Sequence, residues 1–115
     1  MSRGSIWRAD LDPVVGHEAN KARLVMVVGR DAAARQAIAN DGMVTVVPLT
    51  SKRLDRLYGF HVLVPASDAG IPVDSKAQAE QVRTVSVRRL ITQVGQAPAH
   101  VTEAVDNALR FYLGL

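Results

Sequence analysis

A chain of 115 residues with 48% hydrophobic side chains has the length of one domain, 1–115, and the material for one core. It has no cysteine, which excludes disulfide frames and thiolate metal centres; no apolar run reaches bilayer length and MSRGSIWRAD lacks a secretory pattern, so a cytoplasmic location with no membrane partner is expected. Fourteen Lys and Arg against eleven Asp and Glu give a formal charge of +3, and the arginine fork suits phosphate, so a polyanion or an acidic protein is the expected partner class.

Residues 6–11 alternate as a strand, with Ile6, Arg8 and Asp10 on one face and Trp7, Ala9 and Leu11 on the other. Pro13 ends it and a loop follows through Arg23. The run 24–28 is short, apolar and β-branched, which predicts a central strand buried on both faces. Asp31 is expected to cap a short helix through Ile38, stopped by Asn40, Asp41 and Gly42. A third strand spans 43–49, a basic loop 50–59, and a fourth strand 60–64. Residues 65–72 read as a turn region, 75–87 as one or two strands, and 91–94 as another short one. Pro98 suits a helix first turn, and Val101, Val105, Ala108, Leu109 and Tyr112 share one helical face, to be covered by the sheet or by a second copy. These elements support a mostly antiparallel, barrel-like sheet with one short inserted helix and one terminal helix.

Chemistry concentrates in the loop ending at Arg23 and at the end of the third strand, Thr50 and Ser51. Antiparallel pairing of the second and third strands would bring Arg23 and Thr50 to one edge of the sheet. Metal-free cleavage of RNA needs a base for the 2′-hydroxyl proton, an acid for the leaving oxygen and donors for the phosphate. Arg23 can hold the phosphate bidentately, Thr50 and Ser51 can donate hydroxyl hydrogen bonds, and Glu18 or His17 can accept a proton. Each also has a plain reading as a solvated edge residue, a turn or a soluble loop side chain. Lys21, Lys52, Arg53 and Arg56 can contact phosphates, and Tyr58 or Phe60 can stack on a base. His61 and His100 read as structural or solvated. No P-loop, dinucleotide turn, HExxH or GxSxG is present, so no cofactor and no metal site is expected.

Three blocks in order, RGSIWRADLDPVVGHEANKAR, VTVVPLTSK and DSKAQAEQVRTVSVRRL, resemble the MazF/PemK toxins of bacterial toxin–antitoxin pairs. The resemblance implies a PemK/CcdB-like plasmid maintenance toxin fold: mainly β with α, a small SH3-like curved β-barrel with a C-terminal helix, assembled as a homodimer. It implies a metal-independent endoribonuclease, an mRNA interferase that cuts single-stranded RNA to 2′,3′-cyclic phosphate and 5′-hydroxyl ends. It also implies neutralisation by a MazE-like antitoxin whose acidic C-terminal segment fills the RNA groove. By motif position the family's catalytic arginine falls on Arg23, its threonine on Thr50 and its loop glutamate on Glu18. Arginine is a poor proton acceptor, so charge stabilisation is the first role assigned to Arg23.

The sequence departs from the motif at five places. Ser5 replaces an acidic residue, Leu24 the proline after the arginine, and Gly29, Arg30 and Asp31 a Ser-Asn-Asp triplet. Gly59 replaces a proline between Tyr58 and Phe60, and loss of two fixed φ values predicts looser loops. His17 stands where the motif has serine. It is either an exposed loop residue that at most touches RNA, or a proton acceptor beside Glu18, in which case His17→Ala removes a titration near neutral pH. The alternatives to the nuclease are a non-catalytic CcdB-like module that poisons gyrase by binding and an inactive relative that titrates an antitoxin. A pure binder has no need to keep both Arg23 and Thr50.

Overall fold

Among the described residues seven strands form, five of them containing valine. In the computed structural model of the chain, residues 1–11 and 23–115 are described. The strands are β1 (Ser5–Ala9), β2 (Arg23–Val27), β3 (Met43–Thr50), β4 (His61–Val64), β5 (Ser75–Gln78), β6 (Arg83–Ser86) and β7 (Leu90–Gln96). Three helices accompany them: α1 (Asp31–Asn40), α2 (Ala66–Ala69) and α3 (Ala99–Leu113). Every pairing is antiparallel, in the order β4-β5-β3-β2-β1-β7, with β6 on the same edge of β3 as β5. The expected barrel is therefore a curved sheet left open between β4 and β7 among the described strands.

The segment 75–87, expected as one or two strands, forms two that share β3. Met43–Val46 pairs with β6 and Leu49–Thr50 with β5, and the 3₁₀ turn Ala79–Gln81 takes up the shift between them. A displacement of this kind bends the partner strand and coils the sheet.

The predicted double burial of β2 holds. Met26 joins Ile6, Val47, Leu49 and Val64 in a core covered by Val101 and Val105 of α3, while Val25 and Val27 join Ala9, Val44, Val46 and Val85 in a second core beside Ala34 of α1. Side chains alternate between the two faces with the strand period of two. The α3 face thus packs on the sheet, yet not along its whole predicted length: Leu109 is half-buried and Tyr112 exposed.

Other expectations are corrected locally. Asp31 is the first residue of α1 rather than its cap; Arg30 holds that position, and the Asp31 carboxylate accepts the Arg3 N–H at 2.6 Å. That bond ties the chain start to the helix instead of closing the helix on itself. The fourth strand starts at His61, because Phe60 belongs to the preceding turn, where its carbonyl accepts the Ala79 N–H. Residues 65–72 hold the single turn α2, closed by Gly70 at φ 73°. β7 runs well beyond 91–94, and β3 reaches Thr50. Among the described residues, no helix is long and apolar enough to cross a membrane.

Asp41 closes α1 in the left-handed region at φ 54°, a conformation short polar side chains tolerate. Its carboxylate receives Arg88 Nε at 2.7 and 2.9 Å. This hydrogen bond holds the Asp41 carboxyl below its ordinary value of 3.8. A depressed carboxyl stabilises the fold above the unfolded value and loses that contribution as pH falls through the folded one. Asp41→Asn keeps the backbone geometry, so it is expected to remove this small acid-side component only. Urea unfolding of parent and variant should differ above about pH 4, the ordinary carboxylate value, and converge in stronger acid.

Candidate active site

One face of the sheet changes character along its length. Near α1 it is apolar, with Val25, Val27, Val44, Val46 and Val85. The same alternation then sets Arg23 in phase with Val25, Pro48 and Thr50 in phase with Val46, and Arg83 in phase with Val85. The polar end of that face is where the two expected residues meet. β2 and β3 pair Val25 with Pro48 and Val27 with Val46, and the same register continued sets Arg23 opposite Thr50. On the other edge of β3, Thr50 pairs with Lys76 of β5. Arg23, Thr50 and Lys76 thus form one row across three strands.

Beside this row lies a groove of about 270 Å³ lined by Leu11, Arg23, Pro48, Gln78, Gln81 and Arg83. Two guanidiniums and two carboxamides offer many N–H donors around one concavity, a composition suited to phosphate and base edges. Arg23 is exposed at the mouth. Arg83 Nη2 donates to the Leu11 carbonyl at 3.5 Å and Arg89 Nη1 to the Asp10 carbonyl at 3.2 Å, so two arginines fix the exit of β1. Glu18, His17 and Lys21 belong to the segment after that exit and lie outside the described residues.

The basic loop begins at Thr50. Thr50 Oγ1 accepts Lys52 N–H at 3.2 Å, which leaves the hydroxyl proton free to donate. Ser51, Lys52, Arg53 and Arg56 are all exposed, as is Tyr58, while Phe60 is half-buried. Phe60 stacks on Tyr58 at 5.5 Å and meets Tyr112 edge-on at 5.6 Å. Of the two rings expected to stack on a base, Phe60 is committed to packing and Tyr58 stays available. His61 is structural: its Nδ1 accepts Tyr58 N–H at 3.2 Å, so the proton sits on Nε2, which faces Glu80 Oε2 at 3.0 Å. His100 is exposed, 3.5 Å from Asp68.

Three of the departures have packing partners. A side chain at Gly59 would begin 2.8 Å from Phe111 Cε2, so the exposed Phe111 ring would have to swing aside to admit one. Ser5 is fully buried, donating to the Ser2 carbonyl at 2.6 Å and accepting Trp7 Nε1 at 3.0 Å. Leu24 lies opposite Arg8 and packs on the first core.

Sequence reading missed Lys76, Gln78, Gln81 and Arg83. The signal was present in KAQA, where Lys76 and Gln78 alternate with Ala77 and Ala79. That period marks a strand with one polar face, on which Gln78 lines the groove and Lys76 is buried beside the basic loop. Among the described residues, no three His, Asp or Glu side chains gather as metal ligands would.

The chain is 43% identical over 116 residues to endoribonuclease MazF9 of Mycobacterium tuberculosis (strain ATCC 25618 / H37Rv), covering 100% of this chain and 98% of that relative. Its fold matches the crystal structure of MazF from Deinococcus radiodurans with a TM-score of 0.77 at 27% identity, over 100% of this chain and 97% of the other. It also matches a chain of the MazE–MazF complex from the same organism at 0.74 and 25%, over 100% and 96%. With the profile of the PemK-like, MazF-like toxins of type II toxin–antitoxin systems matching residues 2–113, the chain belongs to that family.

Proposed function

We propose that the chain is a single-domain toxin endoribonuclease that cleaves single-stranded RNA at short sequences without a metal ion. It acts in the cytoplasm as a homodimer, and a MazE-like antitoxin with an acidic C-terminal segment neutralises it. The observation that carries this reading is the register that sets Arg23 opposite Thr50 at the edge of a groove also lined by Arg83. A binding module of the same fold needs neither residue at that edge, and the relatives with this fold and sequence are named endoribonucleases.

In this mechanism Arg23 donates two N–H bonds to the non-bridging oxygens of the scissile phosphate, and the Thr50 hydroxyl donates a third. Glu18, with His17 beside it in sequence, takes the proton of the 2′-hydroxyl. The 2′-oxygen attacks phosphorus, the bond to the 5′-oxygen breaks, and that oxygen takes a proton from solvent water as it leaves, while Glu18 returns its proton to solvent. The products are a 2′,3′-cyclic phosphate and a 5′-hydroxyl. Lys21, Ser51, Lys52, Arg53 and Arg56 hold flanking phosphates, and Tyr58 stacks on a base.

Incubation of the purified protein with a long single-stranded RNA in EDTA tests this. Site-specific cuts with 5′-hydroxyl ends are expected; absence of cleavage on every RNA tried would leave only the binding and titrating alternatives. Affinity for a non-cleavable 2′-O-methyl RNA should also fall with salt. With three to five phosphate contacts, log K against log salt should slope at roughly −2 to −3.5, and a flat dependence would contradict a basic RNA surface.

A further inference from the structure

We infer that Lys76 is a positioning residue for the RNA-binding loop: its buried ammonium clamps the backbone of residues 51–59 so that their cations face the RNA. This rests on the endoribonuclease reading for what the loop binds, but the clamp itself rests on geometry. Lys76 is 5% exposed, and Nζ donates at 2.8 Å to both the Arg53 and the Arg56 carbonyls. Among the described residues it has no carboxylate within ion-pair distance. The partners that stabilise this buried ammonium among the described residues are carbonyl dipoles, an arrangement that packing alone does not require.

The charge explains the arrangement. The ammonium attracts carbonyl oxygens inward and repels the guanidiniums of Arg53 and Arg56, so each residue is sorted with its carbonyl toward Lys76 and its cation toward solvent. Arg53 sits at φ 57°, a left-handed conformation that an arginine adopts only when something holds it. Two further bonds fix the loop ends, Lys52 N–H on Thr50 Oγ1 and Tyr58 N–H on His61 Nδ1. Lys76 holds the middle. Being paired with Thr50, it also aligns the loop with the row that contains Arg23.

Two readouts separate the clamp from the function. In Lys76→Met, trypsin should cut after Lys52, Arg53 and Arg56 at least tenfold faster than in the parent. This readout is independent of RNA. Affinity for 2′-O-methyl RNA should fall about tenfold with a shallower salt slope, while the single-turnover cleavage rate at saturating RNA stays within about twofold. The chain has no cysteine, so Lys76→Cys can be aminoethylated at that single position while unfolded. Refolding then restores an ammonium of nearly lysine length and should restore slow trypsin cutting and RNA affinity; this variant keeps the test open if methionine prevents folding. Unchanged trypsin cutting in a folded Lys76→Met protein overturns the clamp. Faster cutting with unchanged RNA affinity and salt slope overturns the positioning role, as does a fall in the saturated rate as large as that in affinity. If the parent itself binds no RNA, the endoribonuclease reading fails while the trypsin result still judges the clamp.

Discussion

Arg23→Ala is expected to lower single-turnover cleavage of RNA by about two to three orders of magnitude, the range for loss of one preorganised donor to a transition-state oxyanion. The size follows from position. Arg23 stands at the edge of the sheet, anchored through Val25 and Val27 in the second core, so its backbone is fixed before RNA arrives. A guanidinium held this way needs little reorganisation as charge grows on the phosphate. Lysine keeps the charge and loses the planar fork, so Arg23→Lys should recover only part of the rate. Thr50→Val, which deletes one hydroxyl donor, should cost less than Arg23→Ala. Binding of 2′-O-methyl RNA should change far less than the rate in all three, because the interaction strengthens in the transition state. Cleavage by Arg23→Ala within tenfold of the parent would remove Arg23 from the catalytic group.

What the sequence reveals here depends on range. Strands β1, β2 and β3 were legible because their alternation is local, and so was the prospect that Arg23 and Thr50 share an edge. The third member of the row was not. Lys76 reads as an ordinary strand lysine until the fold lays residues 53 and 56 over it, contacts across 23 and 20 positions that leave no local period. Arg83 likewise looks like a solvated strand residue, and only its place beside Leu11 turns it to the groove. Gly59 adds a further long-range contact: Phe111, more than fifty positions on, lies where its side chain would begin, and no local pattern shows it. Propensity and spacing recover elements and their faces; they do not recover which distant ring or carbonyl completes a site.

Gly95→Ala should be the most destabilising single-methyl addition in the described fold, at about 3 kcal/mol, the upper part of the range for overpacking. Gly95 lies in β7 opposite Ile6, where the turn of α2 closes on the sheet. A Cβ there would stand 2.4 Å from the Ala69 carbonyl oxygen and 2.9 Å from Ile71 Cγ2. Ile71 can change rotamer, but the carbonyl belongs to the backbone, and Ala69 and Ile71 are both buried in the first core. Relief therefore requires α2 to move off the sheet and open that core beside Ile6. Gly29→Ala is the matched control. It sits at φ 92° with nothing within 4 Å, so it should lose only about 1–2 kcal/mol of conformational origin. Urea unfolding at one fixed protein concentration gives both numbers and removes any contribution from self-association. The two glycines should differ in slope as well as in midpoint: a displaced α2 exposes core surface in the native state and lowers the urea dependence, while a strained turn leaves it unchanged. Equal losses at the two positions would mean that α2 yields freely, and that β7 is held by β1 alone.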